Sequence, residues 1–332
     1  MILIGGDFMC TAISFAKKDF YFGRTLDYDF SYGERVTVTP RRFCFDFGAA
    51  GKFTEHYAMI GMAHVADGYP LYYDCVNEKG LGMAGLNFVG TARYSEPVDG
   101  KLNLAPHEFI PFITGQCCNL DEARKLLDKI NLVNRAFSDA YPAAELHWII
   151  ADKSGAVVVE STESGFHVYE NPVGVLANNP EFPQQMLQLN NYMCLSAKEP
   201  QNRFCSSLPL KPYSRGMGAI GLPGDISSES RFVRAAFVKN NSVCGDAECE
   251  SVSQFFHIIG SVENVQGCCQ LTDGKYQITW YTCCCNCNKG IYYYTTYENH
   301  QITAVDMHHE NLNSCRLATY LPMNSEQIKR QN

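Results

Sequence analysis

Alternating apolar and polar residues dominate this sequence, and this period of two predicts short β-strands joined by tight turns. A hairpin is predicted near the beginning, with strands over 10–15 and 20–26 joined at Lys17-Lys18-Asp19. Two antiparallel meanders are predicted further along the chain. Their strands are expected over 147–151, 156–160 and 166–169, and over 276–282, 291–297 and 301–307.

Helices are fewer, and three segments show the features of a helix. They are 120–133 with Asn119 as N-cap, a segment through 237 with Ser227 or Ser228 as N-cap, and 251–259. Groups of strands with helices between them predict a layered α+β fold.

One loop-rich stretch, 174–224, carries six prolines, and loops of this kind often form a site on a rigid sheet. We identify no linker, low-complexity tract or internal repeat that would divide the chain. We therefore expect residues 10–332 to form a single domain.

Composition and charge exclude several classes of protein. Of the 332 residues, 46% are hydrophobic and 19% are charged, which argues against disorder and supplies a full core. The formal net charge of −8 disfavours a general nucleic-acid binder, because such proteins need a basic surface. No apolar run approaches the roughly 20 residues that cross a bilayer, and the first residues do not read as a signal peptide. We expect a cytoplasmic protein without nucleic-acid or membrane partners.

Sixteen cysteines are present, and several are adjacent in sequence, at 117–118, 268–269 and 283–285. Adjacent cysteines pair badly because disulfide geometry restricts the Cα separation, so reduced and mostly buried thiols are expected. Cys284 and Cys287 have a CxxC spacing, but no second pair stands at the spacing of a zinc site. We expect no metal and no other cofactor.

Cys10 follows Met9 and is a candidate nucleophile. If residues 1–9 are a leader absent from the mature chain, Cys10 becomes the first residue and carries both a thiol and an α-amine. The thiolate attacks, and the amine, with a pKa near 8, serves as the base beside it. A start at Met9 explains the leader, and autoprocessing is the second possibility. Taken alone, Cys10 could equally be one more apolar strand cysteine.

Segments spread along the whole chain are similar to the motifs of a known protein family. They are MCTAISF (9–15) with YFGRTLD (21–27), GMAGLN (82–87), GVLANNP (174–180), NNY (190–192), GLPGDISSESRFV (221–233), and IYYYTTY (291–297) with ITAVD (302–306). In this order they resemble the choloylglycine hydrolase family, which contains bile salt hydrolases and penicillin V acylases and belongs to the N-terminal-nucleophile (Ntn) hydrolases. The resemblance implies a four-layer αββα sandwich of antiparallel sheets and a homotetramer.

The resemblance also implies roles for the first three polar positions. Cys10 would be the nucleophile, and Arg24 would lie near the thiol and favour the thiolate. Asp27 would hold the α-amine by a charge-assisted bond and orient it as a base. The alternative is that Arg24 and Asp27 form an ordinary surface ion pair, which contributes about 0–1 kcal/mol.

Three further positions complete the implied site. Asn178 would supply a side-chain donor to the oxyanion hole, and the Asn87 position would supply a backbone N–H to the same oxygen. Such donors are typically worth about 3–4 kcal/mol each in transition-state stabilisation. Arg231 would complete the polar site. On their own, Asn178 fits a turn residue and Arg231 an exposed helix residue.

The residue at position 87 favours the bile salt hydrolases over the penicillin V acylases. Asn87 is similar to the residue found in the former, whereas the latter more often carry a tyrosine there. The implied substrate is a bile acid joined by an amide to glycine or taurine, with penicillin V or another linear amide as the alternative. Loops near Met62 and Phe137 are candidate walls for the apolar steroid. Arg215 is a candidate partner for the anionic tail, or else a solvated loop residue.

A different class of function also stays open at this point. The same scaffold could be a non-catalytic bile-acid-binding protein or a cysteine-rich metal-binding protein. Release of glycine or taurine by the wild type and by Cys10→Ser separates these classes from a hydrolase.

Overall fold

The computed structural model describes residues 9–332, so all of the predicted leader except Met9 lies outside the described residues. The strands in this range are β1 (Met9–Ala16), β2 (Phe20–Tyr28), β3 (Arg35–Thr39), β4 (Phe45–Asp46), β5 (Lys52–Phe53), β6 (Met59–Ala66), β7 (Tyr69–Tyr72), β8 (Asp74–Asn77), β9 (Gly82–Asn87), β10 (Leu102–Leu104), β11 (Ile130–Leu132), β12 (Leu146–Asp152), β13 (Gly155–Thr162), β14 (Gly165–Glu170), β15 (Val175–Leu176), β16 (Ile278–Asn286), β17 (Ile291–Thr296), β18 (Asn299–Asp306) and β19 (Ala318–Tyr320). The α-helices are α1 (Pro106–Gln116), α2 (Leu120–Leu127), α3 (Phe182–Gln188), α4 (Ser228–Asn241) and α5 (Glu248–Gly260). Short 3₁₀ turns cover Gly48–Ala50, Leu189–Tyr192, Met217–Ala219 and Met307–His309.

Two large antiparallel sheets form the centre of the molecule. The first sheet has the strand order β15-β1-β2-β16-β17-β18. The second sheet has the order β14-β13-β12-β9-β8-β6-β3-β19, with β7 paired to β6. Adjacent strands in both sheets run antiparallel, whereas β10 and β11 form a separate parallel pair.

Successive side chains on the strands of the second sheet belong to two different cores, in keeping with the two-residue period of the sequence. On β12, Ile149 and Ala151 belong to the first core, which lies between the sheets and extends to α4 and α5. Their neighbours Trp148 and Ile150 belong to the second core, which lies between the second sheet and helices α1 and α2. Because successive side chains on a strand point to opposite faces, the layers follow the order helices, sheet, sheet, helices. The expected αββα sandwich is confirmed.

The predicted hairpin and both meanders are present, as are the helices at α4 and α5. The helix predicted over 120–133 is correct at its start, where the Asn119 side chain accepts the Glu122 backbone N–H. It is wrong at its end, because α2 stops at Leu127. The following residues pair with Leu102–Leu104 as β11, which buries the apolar side chains that the helical pattern had claimed.

Helix α1 was not predicted from the sequence. It contains Pro111 and is buried along nearly its whole length. A helix that is buried on most sides lacks the one-sided apolar periodicity that marks a surface helix.

All sixteen cysteines lie within residues 9–332, and every one is a free thiol. Across the same residues, none of the helices has the length and apolar character that crossing a bilayer requires.

A glycine in the first sheet sets the spacing between β2 and its neighbour β16. A Cβ atom at Gly23 would lie 2.0 Å from the backbone oxygen of Cys283 on β16. We predict that Gly23→Ala lowers the free energy of unfolding by about 3 kcal/mol or more, because neither strand can give way. Urea unfolding measures this loss. Gly224→Ala is the control, since nothing lies within 4 Å of its Cβ position, and equal stability of the two variants would contradict the prediction.

Candidate active site

The β1–β2 hairpin brings the sulfur of Cys10 and the guanidinium of Arg24 together. In the register of this pair, Cys10 lies opposite Leu26 and Ala12 lies opposite Arg24. Cys10 and Arg24 are therefore diagonal neighbours on one face of the sheet. The Arg24 Nη2 group donates to Cys10 Sγ over 2.6 Å. Both side chains are buried, at 2% and 1% exposure.

The other hydrogen bonds of Arg24 go to neutral backbone oxygens. Its Nε donates to Thr25 O over 3.0 Å and its Nη1 to Tyr73 O over 3.1 Å, and Nη1 also donates to Gly85 O. Within the described residues no carboxylate is hydrogen-bonded to this guanidinium. Among the described residues, Cys10 Sγ is the one side-chain atom to which this guanidinium is hydrogen-bonded, and the buried Asp74 carboxyl also interacts with its charge.

Asp27 lies on the opposite face of β2, across from Met9. Its Oδ1 accepts the Thr279 hydroxyl over 2.6 Å, and its Oδ2 accepts the Thr25 hydroxyl over 3.2 Å. The carboxyl is fully buried. Since Arg24 and Asp27 are both buried on different faces of the strand, the alternative of a surface ion pair between them is wrong.

Arg231, on α4, connects the backbone of β1 to the segment that carries Asn178. Its Nη1 donates to Cys10 O over 2.5 Å and to Thr11 Oγ1 over 2.6 Å. Its Nη2 donates to Asn178 Oδ1 over 2.7 Å. The side chain is fully buried, so the alternative of an exposed helix residue is wrong.

Asn178 and Asn87 meet beside the nucleophile. Asn178 Oδ1 also accepts the Cys10 backbone N–H over 2.7 Å, and Asn178 Nδ2 donates to Asn87 O over 2.8 Å. The Asn178 backbone N–H donates to Ser228 Oγ at the start of α4 over 2.8 Å. Because an amide nitrogen carries two hydrogens, one hydrogen of Nδ2 stays available after the bond to Asn87.

Burial decides the electrostatic state of the thiol. Desolvation raises the pKa of Cys10 above its usual value, and this outweighs the lowering by the Arg24 guanidinium. The Arg24 guanidinium lowers the pKa of the thiol, as its predicted role requires, but the net pKa shift is upward. A thiol with a raised pKa is protonated at neutral pH, so it needs a base to take its proton when it attacks.

The two segments proposed as walls of the steroid pocket do lie together. The Phe137 ring contacts the Tyr69 ring with centroids 5.5 Å apart, and His64 Nε2 lies 2.9 Å from the Tyr141 hydroxyl. Met62 was expected near a loop but lies in strand β6, where its side chain is fully buried.

Arg215 lies away from these contacts, on the exposed 193–224 stretch. Its side chain is 91% exposed and forms an ion pair with Glu199. Within residues 9–332 it makes no hydrogen bond to any of the six catalytic candidates.

Sequence reasoning missed the polar residues that surround this site. Thr11 and Ser228 bind Arg231 and Asn178, and each could have been found only from its neighbour in the motifs. His147 carried a stronger signal, because it interrupts an apolar strand. A polar residue at such a position needs a buried partner.

The cysteines at 283–285 and 287 are buried in or beside β16. Among residues 9–332, no group of three or more His, Cys, Asp or Glu side chains is arranged to hold a metal ion.

Comparison with known proteins identifies the family of this chain. Residues 10–320 match the linear amide C–N hydrolases of the choloylglycine hydrolase family. The chain belongs to the choloylglycine hydrolase family. It is 51% identical to the bile salt hydrolase/transferase of Lactiplantibacillus plantarum over 318 residues, which cover 96% of this chain and 98% of that protein.

Solved structures agree with this placement. A variant of the conjugated bile acid hydrolase from Clostridium perfringens superimposes with a TM-score of 0.91 at 35% identity, covering 97% of this chain and all of that one. A penicillin V acylase from Agrobacterium tumefaciens superimposes with a TM-score of 0.71 at 19% identity, covering 94% and 90%. The second likeness shows the shared fold alone. As a choloylglycine hydrolase, the chain is a hydrolase of linear amide bonds.

The burial of Asp27 predicts an unusual dependence of stability on pH. Desolvation raises the pKa of this carboxyl to about 6, although Arg231 opposes the shift. A pKa raised in the folded state gives stability that is fully present below about pH 4 and is lost as the pH rises through 6. We predict that Asp27 costs about 2–3 kcal/mol of the free energy of unfolding between pH 4 and pH 7.

Urea unfolding of wild type and Asp27→Asn across this range, both with Met9 attached, measures the difference. The other carboxyl groups are common to both chains and cancel. Identical pH dependence of the two chains would show that Asp27 does not titrate in this window.

Proposed function

We propose that this enzyme hydrolyses the amide bond of bile acids conjugated to glycine or taurine, with Cys10 as nucleophile. The observation that carries the proposal is that the family match begins at Cys10. The sulfur of this residue accepts a hydrogen bond from the Arg24 guanidinium over 2.6 Å. The near full-length likeness to the bile salt hydrolase/transferase of L. plantarum supports the substrate class.

The proposed reaction begins when the α-amine of Cys10 takes the thiol proton. The sulfur attacks the substrate carbonyl, an S–C bond forms, and negative charge develops on the carbonyl oxygen. The free hydrogen of Asn178 Nδ2 and the backbone N–H of Asn87 would hold that oxygen. The amine then gives its proton to the leaving nitrogen as the C–N bond breaks. Water hydrolyses the thioester to release the bile acid.

This chemistry needs the amine of Cys10 to be free. While Met9 is attached, the nitrogen is a peptide N–H that donates to Asn178 Oδ1 over 2.7 Å, and a peptide nitrogen is not a base. We therefore propose that residues 1–9 are absent from the active form and that 10–332 is the working domain. Asp27, which faces Met9, would then hold and orient the new amine.

Replacement of Cys10 tests both parts of the proposal. We predict that Cys10→Ser lowers the rate of glycine or taurine release by about 10³-fold or more, because serine is a far weaker nucleophile beside the same base. Release is measured by quantifying the free amino acid. Cys118→Ser is the control, since that half-buried thiol lies outside the site.

N-terminal sequencing and intact mass of the active protein complete this test. Active wild type should begin at Cys10. Full activity of a chain that retains Met9, or of Cys10→Ser, would contradict the proposal. Bile-salt binding without release by a processed wild type would favour the non-catalytic alternative.

We further propose that the steroid lies against the wall formed by Phe137. The segment of Phe137 reaches β6 through the 2.9 Å contact between the Tyr141 hydroxyl and His64 Nε2. Strand β6 is in turn joined to Arg24, because Tyr73 N donates to Met62 O over 3.0 Å and Tyr73 O accepts Arg24 Nη1. Met62 is fully buried in the core between the sheets, so it would act on the site only through packing.

Arg215 is the proposed partner of the anionic tail, because its exposed guanidinium needs only to leave Glu199. We predict that Arg215→Glu raises the KM for a taurine conjugate by about two- to fivefold, the effect of one exposed ion pair, while kcat stays constant. Steady-state kinetics with Arg203→Glu as control, on the same exposed stretch, measures this. Unchanged kinetics of Arg215→Glu would leave this residue without a role in binding.

We also propose that the enzyme is cytoplasmic and homotetrameric. Sixteen unpaired thiols are typical of a reducing compartment. Several large apolar side chains on the 187–220 stretch are exposed, which supports burial against other copies of the chain. They are Leu187, Met193, Phe204, Leu210, Tyr213 and Ile220.

A further inference from the structure

A buried polar pair lies directly behind the two asparagines of the site. His147 on β12 and Glu160 on β13 are both fully buried, and His147 Nδ1 lies 2.9 Å from Glu160 Oε1. They stand next to the Trp148–Val159 pair of the β12–β13 hairpin. Replacing a buried ion pair by well-packed apolar residues is often neutral or stabilising. Stability alone therefore gives little reason for such a pair to be present here.

One side of the pair holds the backbone around Asn178. His147 Nε2 lies 2.8 Å from Ala177 O, and Glu160 accepts the Phe182 N–H over 3.0 and 3.2 Å on its two oxygens. The chain is thus fixed immediately before Asn178 and four residues after it.

Gln185 fixes the same turn from inside. Its Nε2 donates to Asn178 O over 2.5 Å and to Pro180 O over 2.7 Å. With the pair, it leaves the Asn178 backbone held on both sides by buried side chains.

The other side of the pair reaches Asn87. The Phe88 ring stacks on the His147 ring, with centroids 4.3 Å apart and planes 9° from parallel. Phe88 is the residue after Asn87, and His147 is the residue after Leu146, which pairs with Asn87 across the sheet. One imidazole ring therefore contacts the neighbours of both asparagines.

The hydrogen-bond partners fix the protons of the pair. Ala177 O can only accept, so Nε2 carries a hydrogen. Glu160 already accepts the Phe182 N–H, and the remaining proton lies between Nδ1 and Oε1. Whichever atom holds that proton, the pair carries no net charge. The hydrogen bond therefore holds the two side chains at a set distance and contributes no charge to the reaction.

We infer that His147 and Glu160 are positioning residues that set the distance between the oxyanion donors of Asn178 and Asn87. The inference rests on the proposed function, because it assumes that these two residues hold the developing oxyanion. A displacement of about 1 Å from the productive geometry can cost on the order of 10²-fold in rate. Rigid support of this kind is needed when two donors come from separate segments of the chain.

The first experiment measures kcat and KM for His147→Phe. The variant keeps a ring against Phe88 but loses both hydrogen bonds. We expect kcat to fall by about 10- to 100-fold, while KM changes by less than about threefold, because the donors act on the transition state. Glu160→Leu should show the same pattern. Glu160→Gln keeps an acceptor for Phe182 N and a hydrogen for Nδ1, so it should regain most of the kcat that Glu160→Leu loses.

The double variant His147→Phe/Glu160→Leu separates positioning from stability. Removal of both polar partners avoids the unpaired buried group that each single variant leaves, so its melting temperature should exceed that of either single variant. Its kcat should stay low. If kcat recovers together with stability, the pair is only structural and the inference is wrong.

Asn77→Ala is the matched control. Asn77 is also fully buried, and its Nδ2 donates to Thr114 O and Cys117 O over 2.7 Å each, at the end of α1. This variant removes a buried clamp of the same type away from the site. Its melting temperature should fall while kcat stays near that of wild type. An equal loss of kcat in Asn77→Ala would also overturn the inference.

A crystal structure of the double variant gives a readout that needs no substrate. The 2.8 Å contact between Asn178 Nδ2 and Asn87 O should lengthen or break. An unchanged contact would overturn the inference whatever the enzyme hydrolyses. Failure of wild type to release glycine or taurine from bile conjugates would instead contradict the proposed function and leave this structural test standing.

Discussion

The contact between the Arg24 guanidinium and the Cys10 sulfur is the interaction on which the site depends. Burial works against a charged group at this place, and it raises the pKa of the thiol. The fold nevertheless keeps a cation there by giving it backbone oxygens as partners. Those oxygens solvate the guanidinium, and the buried Asp74 carboxyl adds a favourable charge interaction. The sulfur is thus a protonated thiol at rest and lies beside a charge that stabilises it once the proton has left.

Much of this arrangement could be predicted from the sequence. Alternation of apolar residues gave the hairpin that carries Cys10 and Arg24, and the two-residue period explains why they share a face. The family motifs pointed to six polar positions, which the structure brings together around Cys10, and the roles implied for them stay predictions. The direction of the pKa shift of Cys10 could not be predicted from the sequence. It depends on the balance between desolvation and the Arg24 charge, and therefore on how deeply the folded layers bury the strand. The burial of Met62 could not be predicted either, because a short apolar segment can form a β-strand or a loop with the same residue types.

Similarity of fold and similarity of substrate are separate matters here. The penicillin V acylase with a TM-score of 0.71 shares the fold at 19% identity, and many functions can share one scaffold. Differences in substrate on a shared scaffold arise mostly in its loops, and here the loop that carries Phe137, which contacts Tyr69, is one of these segments. These segments lie on the surface of the sandwich and can change without disturbing its two cores.

The site itself has no such freedom, because its groups come from both sheets and from α4. Cys10 and Arg24 lie on the first sheet, Asn87 lies on the second, and Arg231 reaches in from the helix. The separations among these four residues are therefore set by how the layers pack. Within each sheet, close backbone contacts at Gly23 and Gly61, where a Cβ would meet the carbonyl of the neighbouring strand at 2.0 Å, fix the spacing of adjacent strands. Packing of the layers, together with the buried hydrogen bonds that hold the turn of Asn178, thus keeps Cys10, Asn87 and Asn178 in reach of each other.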